Sequence, residues 1–168
     1  IGAGAYEALE FDRIGTKKVL QGLGIKSPDY VVANGYDEAL KIFEHNPEQQ
    51  YYVKVNIFRG DAETFACKGV TSARTLLMNM MSKFGPYADR QPILMEKAFD
   101  DGVEIGLDAF FNDTDWVAPY WMGFEIGGNV LEKTHDANAL FGDVMAKLKP
   151  LLTQRKYRGP ISIEGFWN

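Results

Sequence analysis

The stretch ILMEKAFDDGVEIGLDAFF, from Ile93 to Phe111, limits what this chain can fold into more than any other. It starts as a strand, breaks at a Phe-Asp-Asp-Gly turn, and resumes with Val103, Ile105, Leu107 and Ala109 on one side. Side chains alternate across a strand, so that apolar set faces a core while Glu104 and Asp108 face the other way. A carboxylate at the start of a strand, beside a hinge, suits a ligand hydroxyl and equally suits solvent.

At 168 residues and 46% apolar content, the chain is long enough for one packed domain, which at this size buries roughly two thirds of its unfolded surface. The net charge of -5 comes from 18 basic and 23 acidic residues scattered along the chain, with no basic block to follow a phosphate backbone, so no nucleic acid is expected as a partner. Cys67 is the single cysteine and cannot close an internal disulfide. There is no signal-peptide pattern and no apolar run of about 18 residues, so no membrane partner and a reducing, cytoplasmic setting are expected. The start at Ile1 and the end on the alternating run ISIEGFWN are those expected of part of a longer protein.

Periodicity places the elements. Asp12 to Leu23 reads as a helix closed by Gly24, and GIKSPDY leads out of it through Pro28 as an extended connector. Asp37 is expected to cap a second helix, DEALKIFEH, which Asn46-Pro47 ends. YYVKVNIF then alternates, with Tyr51, Val53, Val55 and Ile57 opposite Tyr52, Lys54, Asn56 and Phe58, and so forms a strand that carries an isolated lysine. After a polar loop, CKGV resumes extended structure. Ala73, Leu76, Leu77, Met80, Met81 and Phe84 then recur at helical spacing as a core stripe. A long helix is expected from Asp136, with Ala137, Leu140, Phe141, Val144 and Leu148 inward and Pro150 ending or kinking it. The last strand runs from Ile161 to Phe166. This order fits an α+β arrangement with antiparallel sheets, and residues 51–96 could form a small lobe.

Several short motifs carry no chemistry on this reading. Gly2 and Gly4 follow no strand, so a dinucleotide fingerprint is not expected. Arg59-Gly60-Asp61 sits in a loop of a chain without extracellular marks. His45 and His135 lack the spacing of a zinc pair, and Cys67 has no histidine or acidic partner nearby in sequence.

The succession EFDRIGTKKVLQGLGIKSPDY, YYVKVN, CKGV, ILMEKAFDDGVEIGLDAF and YRGPISIEG resembles the ATP-grasp superfamily, and within it the phosphoribosylamine-glycine ligases. The resemblance implies two α+β lobes with antiparallel sheets clasping a nucleotide, with 1–168 a partial ATP-grasp domain, the small lobe at about 51–96 and the remainder in the larger lobe. It implies an ATP- and Mg2+-dependent carboxylate-amine ligase acting through an acyl-phosphate, in purine biosynthesis, on a small-molecule carboxylate and amine. A biotin-carboxylase-like enzyme or a non-catalytic nucleotide-binding module is the alternative.

By the same resemblance Lys54 reaches the nucleotide phosphates, Arg13 is a second basic residue on the ATP, and Lys68 and Gly69 end the phosphate-covering loop. Met95, Glu96, Lys97 and Phe99 form the adenine hinge, where Met95 and Phe99 offer apolar surface and Glu96 approaches the exocyclic amine. Glu104 accepts hydrogen bonds from the ribose hydroxyls, and Glu164 resembles a magnesium ligand of the carboxylase branch. The chain departs from the pattern in two places. Thirteen residues with one glycine separate Lys54 from Lys68, and the strand bearing the second pair of metal ligands would follow Asn168. A fragment without that strand is expected to be weakly active or inactive alone, and the missing N- and C-terminal parts of its polypeptide are expected partners.

Overall fold

The computed structural model describes residues 9, 11–56, 64–98, 102–125 and 129–167. The chain divides into two compact units, one of Ala8–Leu20 and Lys26–Phe99, the other of Ile1–Glu7, Gln21–Ile25 and Asp100–Asn168. Each carries one antiparallel four-stranded sheet. The segment 51–96 lies wholly in the first of these units, whose sheet also takes in an earlier strand.

That earlier strand, β1 (Tyr30–Asn34), follows helix α1 (Arg13–Gly22) and the Pro28 connector. Helix α2 (Gly35–His45), β2 (Gln50–Val55), β3 (Thr64–Lys68), helix α3 (Val70–Ser82), a 3-10 turn (Gly85–Arg90) and β4 (Pro92–Lys97) complete the unit, with strand order β1-β4-β2-β3. Alternation along β2 puts Tyr51, Val53 and Val55 into a core with Ile93 and Met95 of β4, Ala39 and Phe43 of α2, and Ala73, Leu77, Met80 and Met81 of α3. The methionine stripe is therefore core, and Phe43 meets Tyr51 edge to face at 5.4 Å.

Helix α2 starts at Gly35, two residues before Asp37, because Asn34 rather than Asp37 ends the preceding strand. The Asn34 backbone N–H and side-chain amide both donate to Glu38 Oε2, at 2.8 and 3.2 Å, and this closes the first turn. Gly35 has φ +81, and a Cβ there would stand 2.5 Å from the Asp89 carbonyl oxygen.

In the second unit, β5 (Val103–Asn112) lies between β6 (Trp116–Glu125) and β8 (Arg158–Trp167), and β7 (Asn129–Thr134) flanks β6. Ile105, Leu107, Ala109 and Phe111 are buried, as the alternation requires, against helix α4 (Asn138–Gln154). The indole N–H of Trp116 donates to the Met145 carbonyl at 3.0 Å and ties the sheet to that helix. Pro150 does not end α4. Phe141, Met145, Leu148 and Leu152 form one buried stripe that runs past it, so packing outweighs the missing backbone donor. The helix begins at Asn138 rather than Asp136, whose carboxylate accepts the Asn138 N–H at 2.8 Å. Among the described residues no helix is long and apolar enough to cross a membrane.

Candidate functional site

Strand β4 sends alternate side chains to opposite faces. Ile93 and Met95 enter the helix-covered core, and Leu94 and Glu96 take the other face. In register with Glu96 stand Tyr30 of β1 and Tyr52 of β2, and in register with Leu94 stands Lys54. Glu96 is 6% exposed, the one buried charged residue among those described. A carboxylate so placed needs counter-charge, and it has two: Lys54 Nζ at 2.5 Å, and Lys17, reaching from α1.

Helix α1 is fastened over this end of β2 by a set of hydrogen bonds. Ile14 N–H donates to Asn56 Oδ1 at 2.8 Å, and Arg13 N–H to the Asn56 carbonyl at 3.3 Å. The Asn56 amide and the Gly15 N–H donate to Asp12 Oδ1 at 3.0 and 2.9 Å. These bonds, that of Gly15 first, hold the Asp12 carboxyl below its ordinary range. The Arg13 guanidinium donates to Thr64 Oγ1 at 3.1 Å and to the Val55 carbonyl at 3.4 Å, so it braces β2 and β3.

Burial pushes the Glu96 carboxyl up, and the hydrogen bonds and charges of Lys17 and Lys54 outweigh it, leaving the group below its ordinary value. The three side chains together carry one net positive charge. Lys54 is the more open of the two lysines, with 30% of its side chain exposed against 13% for Lys17. An ammonium has three donors and no fixed plane, so Lys54 can keep its bond to Glu96 and still meet an anion.

The structure brings Lys54 and Glu96 together on one face of one sheet, sets Arg13 at the Val55–Asn56 end of β2, and adds Lys17, which sequence reasoning missed. A signal was available: Lys17 follows Arg13 by four residues in DRIGTKK, which places both on one side of a helix. Lys68 lies apart, at the far end of the same pair of strands in register with Gln50, and pairs with Glu48 at 3.2 Å. Gly69 caps α3 with φ +80. Met95 is fully buried in the helix-side core, so its thioether supports β4 from behind the face that carries Glu96. The Lys97 N–H donates to the Asp29 carbonyl at 2.8 Å, and its ammonium pairs with the Asp29 carboxylate at 3.2 Å. Phe99 and the first residues of the Phe-Asp-Asp-Gly turn lie outside the described residues, as do Gly2, Gly4 and the Arg59-Gly60-Asp61 loop.

In the other unit Glu104 is half-buried at the start of β5, in register with Phe166. Glu164 is exposed on β8 opposite Gly106, so it shares the helix-free face of that sheet with Glu104 and Asp108. Among the described residues no group of three His, Cys, Asp or Glu side chains is close enough to hold a metal ion by itself.

No family model matches the chain, and no curated protein matches it. Solved structures do. D-alanine-D-alanine ligase from Helicobacter pylori matches with a TM-score of 0.66 at 20% identity, covering 95% of this chain and 48% of that one. A RimK domain ATP-grasp protein from Sphaerobacter thermophilus matches with a TM-score of 0.64 at 12% identity, covering 96% of this chain and 55% of that one. Carboxyaminoimidazole ribonucleotide synthase from Aspergillus clavatus, a complex with ATP, matches with a TM-score of 0.61 at 13% identity, covering 98% of this chain and 43% of that one. The chain spans about half the length of these solved proteins. With two α+β units, each built on an antiparallel four-stranded sheet, and these neighbours over nearly its whole length, the chain has the ATP-grasp fold.

Proposed function

We propose that this chain is the ATP-binding part of a carboxylate-amine ligase that works through an acyl-phosphate. The observation that carries the reading is the Lys17–Glu96–Lys54 cluster, two lysines on one buried carboxylate with one net positive charge, on a sheet face of an ATP-grasp fold, with Lys54 open to an anion. ATP supplies the phosphoryl group that turns a carboxylate oxygen into a leaving group, and the protein contributes positioning and charge stabilisation.

In this reading Lys54 neutralises developing charge on the phosphates. Arg13 holds the strand ends from which Lys54 projects and adds positive charge there. Lys68 and the amide of Gly69 cover the phosphates where the chain leaves β3. Glu96 and the backbone of Lys97 and Phe99 read the adenine edge, with Met95 as the packing behind them. Glu104 accepts from the ribose hydroxyls. Glu164 fits a magnesium ion, because that cation takes one or two protein carboxylates and completes its shell with phosphate oxygens and water. The ion would screen the phosphate charge there. The ordered motifs of the sequence resemble the phosphoribosylamine-glycine ligases, and on this reading the reaction belongs to purine biosynthesis in the cytoplasm.

Calorimetric titration with ATP and magnesium, beside GTP, tests the reading. Adenine-selective binding is expected, weakened at least tenfold in both Lys54→Ala and Glu104→Ala. A chain that binds neither nucleotide, or one whose affinity for ATP survives both substitutions, overturns it.

A further inference from the structure

Lys17 is given no contact with the nucleotide above, yet it is the more deeply buried of the two cations on Glu96. We propose that Lys17 is a positioning residue: acting through Glu96, it holds the ammonium of Lys54 in place to receive an anion. The inference rests on the ATP-binding reading for the identity of that anion, and on the geometry alone for the coupling.

A lysine on a strand has a flexible four-carbon stem, so by itself it samples many positions. Lys54 is pinned at 2.5 Å by a carboxylate, and that carboxylate is 6% exposed. A lone pair between Lys54 and Glu96 would leave the second carboxylate oxygen buried without a partner, which favours the protonated acid and weakens the hold on Lys54. Lys17 supplies that missing partner: its ammonium takes Oε1 while Lys54 takes Oε2. Lys17 in turn cannot drift, because Ile14, Arg13 and Asp12 bind its helix to Asn56 at the end of β2, the strand that carries Lys54. The loop of contacts is closed: β2 fixes α1, α1 carries Lys17, Lys17 fixes Glu96, and Glu96 fixes a side chain of β2.

Among the described residues the groups that face Glu96 are few. They are Lys17 from α1, Lys54 and Tyr52 from β2, and Tyr30 from β1; Lys97 points to the opposite face and is paired with Asp29.

The test reads the cluster with and without nucleotide. In the nucleotide-free protein, the side-chain carboxyl carbon of Glu96, assigned through Glu96→Gln, is followed by NMR against pH, together with the ammonium signal of Lys54. In Lys17→Met the carboxyl midpoint is expected to move upward and the Lys54 signal to broaden, and Lys17→Arg should restore both. Titration with ATP and magnesium then gives the functional arm. Lys17→Met is expected to weaken binding about tenfold in the wild-type background and by less than twofold in the Glu96→Gln background, the non-additivity of residues acting in one network. An unchanged Glu96 midpoint in Lys17→Met, or the same loss of affinity in both backgrounds, overturns the proposal. If the wild-type chain binds no nucleotide, the ATP reading falls, and the nucleotide-free signals still decide whether Lys17 positions Lys54.

Discussion

Replacing Glu96 by glutamine tests whether the buried carboxylate holds its unit together. The substitution keeps the shape and removes the charge, leaving two ammonium groups beside a neutral amide. Breaking a buried ion pair by deleting one partner costs about 3–5 kcal/mol. Two features reduce that here. Lys54, with 30% of its side chain exposed, can turn toward water, whereas Lys17 at 13% cannot do so freely. The amide oxygen of glutamine also still accepts one hydrogen bond, worth about 1 kcal/mol. The expected loss is therefore about 2–3 kcal/mol. Tryptophan fluorescence would miss it, since Trp116, Trp121 and Trp167 all lie in the other unit. Amide hydrogen exchange on Val53 of β2 and Met95 of β4 reads the correct unit. Protection there should fall roughly thirtyfold to a hundredfold, at about tenfold per 1.4 kcal/mol, while Leu107 of β5 is unchanged.

The same experiment has a pH arm with a defined sign. The folded Glu96 carboxyl sits below its ordinary value of 4.5, so its stabilising contribution is fully present above that pH and is lost as the pH falls through the folded value. Wild-type protection on β2 and β4 should therefore approach that of the glutamine variant in acid. A second variant, Lys17→Met with Glu96→Leu and Lys54→Met, removes all three charges together and should cost less than the single change, or nothing, because well-packed apolar groups replace buried ion clusters without loss. Protection in Glu96→Gln within threefold of wild type at neutral pH would refute the reasoning.

Two glycines with similar φ should respond differently to alanine. Gly35→Ala adds a Cβ 2.5 Å from the Asp89 carbonyl on top of a φ of +81, and a loss of about 3 kcal/mol is expected in the exchange of α2 and β4; Gly69→Ala, at φ +80 with open space around it, should cost only about 1–2 kcal/mol. In the other unit, Phe111→Ala empties a site that is 1% exposed and removes the edge-on contact with Trp116 at 5.2 Å. A loss of about 3–5 kcal/mol is expected, read as an earlier denaturant midpoint by tryptophan fluorescence.

Elements with strong alternation or helical spacing were legible in the sequence. The strand Val103–Asn112 follows from its apolar set, and the Met80–Met81 stripe of α3 follows from its period. β1 was not legible, because YVVAN is short, follows a proline connector, and becomes a strand only by pairing with β4 along Tyr30 to Asn34. The path of α4 through Pro150 was hidden for a related reason: the local rule is real, but the buried stripe that overrides it exists only once the sheet is in place. The site divides in the same way. Lys54 stands out as the one charged residue in YYVKV. Lys17 stays hidden because its partner is 79 positions away in sequence, by the numbers Lys17 and Glu96, and they meet only when α1 is bound to the end of β2.

A buried carboxylate that already holds two lysines looks at first like a reason for Lys54 to be unavailable to a ligand. The stoichiometry of donors argues the reverse. Each ammonium has three N–H groups, and Glu96 takes one bond from each lysine through its two oxygens. Lys54 therefore keeps donors in reserve on a side chain that is partly open, and an arriving anion does not have to break the pair. The carboxylate also lowers the repulsion between Lys17 and Lys54, which would otherwise push the two charges apart on the same sheet face. With one net positive charge remaining, the cluster attracts a polyanion and discriminates little against its shape, as a compact ammonium does. Selectivity for a nucleoside must then come from groups that read edges and hydroxyls. On the proposed reading those are Glu96, the backbone beyond it and the carboxylate of Glu104, and this is why Lys54→Ala should weaken binding of ATP and of inorganic triphosphate alike, while Glu104→Ala should weaken ATP alone.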